Sequence, residues 1–450
     1  MNQILNPGDI VQTVESAQPC TVNMFLGGGG QGEVYSATWA GGNFALKWYY
    51  RHTATDDQRY SLERLIKSQC PSENFLWPLD LAVSRAAPGF GYIMRLRDKR
   101  FRSLQDLVRR RIDPTFAVTA LAALNLVASF KKLHDQGLCY RDISFGNAFL
   151  DPNNGDVLIC DNDNVSENRA KITGVMGTPD FMAPELVRMT PGCLPNRQTD
   201  LYSLAVLLFY IFFNHHPLSG KKILSIRSWD YPARKKIFGL EPLFIFDPSD
   251  NSNQAVPRAL DPGGEAGANA LELWPIYPQY IRDLFTKAFT TGIADPEYGR
   301  VTEGEWLAGL ARLSDSVSKS CPCGSENFLD LDAVGDDGTY AKTCWRCNEK
   351  LPLPMCLKIG KAVIALNPDS HVFEHHLKDY SDHDRSSIIG QVTRHPTNPS
   401  ILGLKNLSQG RWVVTKQDGT MVDVEPGKSA VLAKEIKIAI GNQVAELINR

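Results

Sequence analysis

Residues 10–50 alternate apolar and polar positions between glycine-rich turns, the period-two pattern of antiparallel strands. The period then changes. Tyr60, Leu62, Leu65 and Ile66 recur at helical spacing within 56–68, and Pro71 and Pro78 punctuate the exit. Residues 114–135 read as a long apolar helix, with Pro114 near its start and Gly137 just past its end. A second, more apolar helix spans 199–213. Its run from Leu201 to Phe213, interrupted by Tyr202 and Ser203, falls short of the ~20 residues that cross a bilayer and reads as a buried core helix. The stretch 221–270, rich in Pro, Gly, Asn and Asp, predicts an exposed insertion, partly ordered at best. Helical periodicity returns over 278–315 and breaks at 314–319. Beyond Pro354, short strands alternate with turns at Asn367-Pro368, Asp418-Gly419 and Pro426-Gly427.

A chain of 450 residues suggests about three domains on a prior of ~150 residues each. Apolar content of 43% with 22% charged residues fits a soluble globular protein. The formal net charge of −2 gives bulk electrostatics nothing to offer nucleic acid or an anionic membrane, so neither is expected as a partner. The N-terminus, MNQILNPGDIVQ, lacks the basic start and apolar core of a secretory signal. Of ten cysteines, six are scattered singly and four form two tight pairs. That favours a reducing, cytoplasmic setting with one metal site over a disulfide framework.

Candidate chemistry is strung along the first three hundred residues. Leu26-Gly27-Gly28-Gly29-Gly30-Gln31-Gly32-Glu33-Val34 contains Gly27-x-Gly29-x-x-Gly32-x-Val34. Glycines let backbone approach phosphates, although a flexible surface turn uses the same residues. The chain continues as a strand toward Phe44-Ala45-Leu46-Lys47, where a dinucleotide-binding turn would open a helix. Lys47 therefore lies under the glycine turn, with Glu63 on the following helix as its expected partner. Further on come Tyr140-Arg141-Asp142-Ile143-Ser144-Phe145-Gly146-Asn147, an Asp161 after the strand Val157–Cys160, and Gly177-Thr178-Pro179-Asp180-Phe181-Met182-Ala183-Pro184-Glu185.

In that order and spacing, residues 20–310 resemble a bacterial Ser/Thr-type protein kinase. The resemblance implies ATP with Mg²⁺ (or Mn²⁺) and a bilobal fold, with an N-lobe over about 10–97 and a C-lobe over about 98–315. Asp142 would orient the acceptor hydroxyl as base, and Asn147 and Asp161 would hold the metal. Leu26, Val34, Ala45 and Phe149 would sandwich the purine. Met94 would guard the back of its pocket, with Leu96 in the hinge. Glu185 would pair with Arg300, and Asp200 would hold the catalytic loop through backbone hydrogen bonds. Arg141, beside the base, implies regulation by phosphorylation at Ser166, Thr173 or Thr178.

Three departures from the kinase pattern stand out. Ser144 stands where a lysine usually neutralises the migrating phosphoryl group, Asn162-Asp163 follow Asp161 in place of Phe-Gly, and Tyr140 replaces a more common His. The base, both metal ligands and Lys47 remain. An active enzyme is therefore the reading, with a nucleotide-binding pseudokinase scaffold as its alternative. Tyr140–Ser144, Cys160–Asn164 and Leu204–Phe209 together resemble a bacterial kinase subfamily. It is encoded beside a von Willebrand A-type protein and a metal-dependent Ser/Thr phosphatase, which the resemblance implies as partners alongside protein substrates.

Cys321-Pro322-Cys323 and Cys344-Trp345-Arg346-Cys347 give four thiolates suited to tetrahedral Zn²⁺, and 318–357 resembles a zinc ribbon. Residues 358–450 predict a β-sandwich that faintly resembles a forkhead-associated domain. Gln391 replaces the usual Arg and no Ser-x-x-His follows, so an interaction module that does not read phosphothreonine is expected. His371, His375, His376 and His383, set among Glu374, Lys378 and Asp382, read as a solvated face. The whole is a multi-domain α+β chain: a kinase fold over 1–315, a zinc ribbon and a small all-β sandwich.

Overall fold

In the computed structural model, period-two alternation places the first chemistry-bearing residues. Strands β1 (Ile10–Thr13), β2 (Pro19–Gly28), β3 (Gly32–Trp39), β4 (Gly42–Tyr49), β5 (Asp80–Val83) and β6 (Phe90–Arg95) close into an antiparallel barrel ordered β1-β2-β3-β4-β6-β5. Along β4, Leu46 and Trp48 point inward to Val11, Val22, Tyr35 and Ile93. The flanking Ala45 and Tyr49 join Tyr92, Met94 and Leu62 on the opposite face. Leu62 belongs to α1 (Asp56–Lys67), which Thr55 caps by accepting from the Gln58 N–H.

Residues 3–168, 177–335, 339–378, 384–433 and 435–448 are described. They divide into two compact units. One is built from residues up to Asp113, Asn125–Leu271 and Thr286–Glu303; the other from Pro114–Leu124, Glu272–Phe285 and the chain from Gly304 onward. Both contain part of the helix Phe116–Asp135. This is the described helix long and apolar enough to cross a membrane, yet Ala120, Ala123, Leu126, Val127 and Phe130 along it are buried within the protein.

In the first unit, the helix Arg197–Phe213 is capped by a reciprocal Asn196–Thr199 box and ends at Asn214 in the left-handed conformation. From Leu201 onward it is apolar nearly all round because it is buried nearly all round. The segment 221–270 is not the loose insertion its composition suggests. Ile237 and Phe238 pack on Val187 and Leu218, and the Phe244 ring lies 5.8 Å from Phe209 and 5.3 Å from Phe289. Asn253 donates to the carbonyls of Leu218 (2.9 Å) and Leu243 (2.6 Å). A few buried aromatics and one satisfied amide hold a turn-rich segment in place, and these leave no periodic signal.

In the second unit, a six-stranded and a four-stranded antiparallel sheet enclose a core of Leu357, Ile359, Val372, Val392, Leu404, Trp412 and Ile438. The four paired cysteines lie outside this core, and Cys321 and Cys344 cluster with Tyr340 and Leu351. His375 and His376 are buried rather than solvated. His376 Nδ1 accepts from the Phe373 N–H at 3.0 Å, leaving Nε2 to donate to Asp315 at 3.1 Å; Arg385 holds the other carboxylate oxygen at 2.9 Å. A charge network that closes inside the fold looks polar in sequence. His383 lies outside the described residues.

Candidate active site

One cavity of about 870 Å³ opens beneath the glycine turn, a volume suited to a small-molecule ligand. Leu26, Gly27, Gly29, Val34, Ala45, Met94, Leu96, Phe149 and Asp161 all line it. Gly32 does not, and its constraint is different. A Cβ there would lie 2.2 Å from the Trp48 carbonyl oxygen, so glycine is required by the close approach of β3 to β4.

Below this turn, Lys47 is almost wholly buried. Its ammonium meets both Asp163 oxygens, at 2.8 and 3.0 Å, and also Asp161 Oδ1 at 3.3 Å and Gln31 Oε1 at 3.1 Å. Burial lowers an ammonium's pKa, but the Asp163 and Asp161 carboxylates outweigh it and hold Lys47 above its ordinary value. Asp163 has no side-chain exposure. Burial would raise its pKa, whereas Lys47 and hydrogen bonds from Tyr49 and Tyr92 hold it below the usual carboxylate range.

The expected Lys47–Glu63 pair is not formed. Glu63 instead accepts from Arg59 Nε at 3.1 Å, one turn earlier on α1. What α1 sends toward the lysine is Gln58, whose Nε2 donates to the Tyr49 hydroxyl at 3.1 Å and the Asp163 carbonyl at 3.4 Å. Sequence reasoning missed Asp163, Gln31, Tyr49 and Tyr92. The signal lay in strand geometry: Tyr49 is two residues from Lys47 on one face, and Tyr92 is its direct register partner on β6.

On the loop 140–147, Asp142 Oδ1 accepts from the Thr178 hydroxyl at 2.7 Å and Oδ2 from Asn147 Nδ2 at 3.1 Å. Asn147 Nδ2 also donates to the Asp142 carbonyl at 2.9 Å. Thr178, expected among regulatory positions, thus lies against the expected base. Asp200 accepts from the backbone N–H groups of Tyr140 (2.5 Å) and Arg141 (3.0 Å) and contacts His134 Nε2 at 3.1 Å. Asp161 sits at the head of a 3₁₀ turn over Asn162–Asn164, in the left-handed conformation with φ 51° and ψ 45°. Arg141, also at positive φ, donates from Nε to the Asn164 carbonyl. Ser166 sits in a two-residue strand paired to Leu138–Cys139. Ser144 is buried. Thr173 lies outside the described residues.

Glu185 and Arg300 meet with both carboxylate oxygens within 2.6–2.8 Å of one guanidinium nitrogen. Arg300 also donates to the carbonyls of Gln198 and Gly292. The four sulfurs of Cys321, Cys323, Cys344 and Cys347 lie within 4.8 Å of one another. Separations of 3.2, 3.5 and 3.7 Å join Cys321 to Cys323, Cys321 to Cys347 and Cys323 to Cys344.

A family model described as protein kinase domain matches residues 20–260, just over half of the chain. Among curated relatives, the eIF-2-alpha kinase GCN2 of Schizosaccharomyces pombe is 32% identical over 24% of this chain and 8% of its own length. The serine/threonine-protein kinase PkaB of Streptomyces coelicolor is 26% identical over 44% of this chain and 50% of its own. The serine/threonine-protein kinase RUNKEL of Arabidopsis thaliana is 30% identical over 28% of this chain and 10% of its own. The chain thus spans half or less of these relatives. With the matched region covering all of the barrel but β1, the cavity and the loop 140–147, the chain belongs to the protein kinase family.

Proposed function

We propose that the chain is an ATP-dependent protein kinase that transfers the γ-phosphoryl group to Ser and Thr hydroxyls of proteins and autophosphorylates. The observation that carries this is Asp142, held by Thr178 and Asn147, on the same catalytic apparatus as a nucleotide-sized cavity lined by Asp161. Two hydrogen bonds orient the Asp142 carboxylate, which accepts the acceptor hydroxyl's proton as the oxygen attacks phosphorus. Lys47 positions the nucleotide phosphates. Asn147 spends its amide nitrogen on Asp142 and keeps an oxygen for Mg²⁺. With the Asp161 carboxylate, that oxygen forms a hard donor set fit for the ion. When bound, Mg²⁺ would neutralise phosphate charge; positioning and charge neutralisation supply most of the rate.

The decisive experiment incubates wild type and Asp142→Ala with labelled ATP·Mg²⁺ and a generic protein acceptor. Incorporation by the wild type that the variant loses by at least a hundredfold is expected. Equal incorporation by both, or none by either, would favour the pseudokinase scaffold.

The finer assignments are proposals on the same footing. The Tyr140–Ser144 and Cys160–Asn164 motifs support the bacterial subfamily, and with it a von Willebrand A-type protein and a metal-dependent phosphatase as partners. The four-sulfur cluster supports a structural Zn²⁺, since sulfur separations of 3.2–3.7 Å suit thiolates sharing an ion at ~2.3 Å. The two-sheet sandwich supports the forkhead-associated-like interaction module. Ten unbridged cysteines support a cytoplasmic location.

A further inference from the structure

We propose that Asp163 is the positioning residue for Lys47, replacing the helix-borne glutamate that family members use, so that the lysine is fixed from the metal loop rather than from α1. This rests on the kinase reading above and adds to it which carboxylate holds the phosphate-binding lysine.

The contacts around Asp163 form a closed set. Lys47 donates to both oxygens, at 2.8 and 3.0 Å. Tyr92 donates to Oδ1 at 3.1 Å, and Tyr49 donates to Oδ2. Two oxygens with about four acceptor sites thus meet an ammonium and two hydroxyls, all inside the protein. A buried carboxylate without such partners would be strongly destabilising, so the two tyrosines and the lysine belong to one unit. The competing acid does not reach it. Glu63 is one-third exposed and held by Arg59. The contact from α1 is the neutral Gln58 amide, reaching Tyr49 and the Asp163 backbone.

The consequence is mechanical. Asp163 is two residues beyond Asp161, on the same 3₁₀ turn. One short segment therefore sets both the carboxylate proposed to hold Mg²⁺ and the carboxylate that aims the lysine. In a kinase that draws its lysine partner from the helix, moving that helix breaks the ion pair and silences the enzyme. Here a shift of α1 would disturb the two Gln58 hydrogen bonds, the packing of Leu62 against Tyr49 and Tyr92 and the Arg64–Glu167 pair, but the Lys47–Asp163 ion pair itself includes no α1 side chain. Control by helix displacement is weakened, and control passes to the loop after Asp161.

The test compares full-length Lys47→Met, Asp163→Asn, Glu63→Gln and the Lys47→Met/Asp163→Asn double variant, each checked for folding by circular dichroism. KM for ATP, kcat and the affinity for the non-hydrolysable β,γ-imido-ATP with Mg²⁺ are measured. Losing a charge-assisted contact predicts that Asp163→Asn raises KM and weakens analogue binding about ten- to a hundredfold. Glu63→Gln is expected to stay within about twofold of wild type. Because Asp163 acts through Lys47, adding Asp163→Asn to Lys47→Met is expected to cost nothing further. The proposal is overturned if Asp163→Asn binds and turns over like wild type, if Glu63→Gln costs as much, or if the two losses multiply. Should Lys47→Met itself leave binding and turnover intact, the kinase reading fails first. If Asp163→Asn does not fold, Tyr92→Phe withdraws one donor from the same carboxylate. A threefold to tenfold rise in KM is then expected, and an unchanged KM would refute the proposal.

Discussion

Protonation of His134 ties folding stability to the catalytic loop, and its pH dependence has a definite sign. His134 Nδ1 lies 2.5 Å from Glu303 Oε1, and Nε2 lies 3.1 Å from Asp200 Oδ2. Arg197 holds the other side of Glu303. Burial lowers an imidazole's pKa, but here two carboxylates prevail and His134 is raised from 6.5 to about 9. A group raised in the folded state contributes its full stabilisation below its unfolded value. That contribution is lost as pH climbs from 6.5 through about 9. At about 1.4 kcal/mol per pH unit, the contribution is roughly 3 kcal/mol. A domain of 150–250 residues shifts its Tm by ~2–4 °C per kcal/mol, so roughly 6–12 °C is at stake. Glu303 is held down to about 2 by His134 and Arg197 against its burial, so it stays ionised throughout this range. The buried His216 and His375 have lowered values, near 3 and 4, and would favour stability at higher pH. Subtracting the His134→Gln variant removes their effect.

The assay is a thermal melt of wild type and His134→Gln from pH 6 to 9.5. Wild type should exceed the variant most at pH 6, with the gap closing toward pH 9.5. A gap that is constant, or that widens with pH, would mean that His134 is neutral in the folded protein, and would falsify the charge assignment. Because Asp200 also holds the N–H groups of Tyr140 and Arg141, kcat should fall over the same interval.

Two further outcomes separate structural from ligand-facing positions. Gly32→Ala forces a Cβ against the Trp48 backbone and should cost about 1–3 kcal/mol in urea unfolding. Gly29→Ala, whose Cβ would meet nothing within 4 Å, should leave stability within ~0.5 kcal/mol while raising KM for ATP. At the four-cysteine cluster, the purified protein should carry one equivalent of zinc, and Cys344→Ser or chelation should release it and open 318–357 to proteolysis. Less than half an equivalent by elemental analysis would remove zinc from this site.

What the sequence disclosed was chemistry that a few adjacent residues must carry themselves. Asp142 with Asn147, the glycine turn and the paired cysteines each need fixed short spacing, so each was legible before any fold was known. Pairings set by how one element turns toward another were legible only where the family resemblance supplied them, as for Glu185 with Arg300 and Asp200 with the Tyr140 and Arg141 N–H groups. Glu63 lies on a helix of the right period, but Arg59 is on the same face one turn away and captures it. His375 and His376 sit among charged neighbours that resemble a wet surface, yet Asp315 and Arg385 close the network inside the fold. The order within 221–270 depends on where Phe238 and Phe244 land, which composition does not encode.

The departures after Asp161 are better understood together than as separate losses. Asn162, where an aromatic is usual, is fully buried and donates from Nδ2 to the Ile159 carbonyl at 3.1 Å. That bond helps fold the short turn over Asn162–Asn164, and the turn delivers Asp163 to Lys47. Asp163 in turn needs Tyr49 and Tyr92, both aimed from strands that carry or flank the lysine. A site decaying toward a scaffold has no reason to keep a buried carboxylate fully partnered, since an unpaired charge of this kind costs several kcal/mol and a neutral side chain would remove the cost. Here every donor is present. The absent partner is the lysine at Ser144, and that loss bears on transfer of the phosphoryl group rather than on holding the nucleotide. On the proposed kinase reading, Lys47 is anchored from the turn that follows Asp161 rather than from α1.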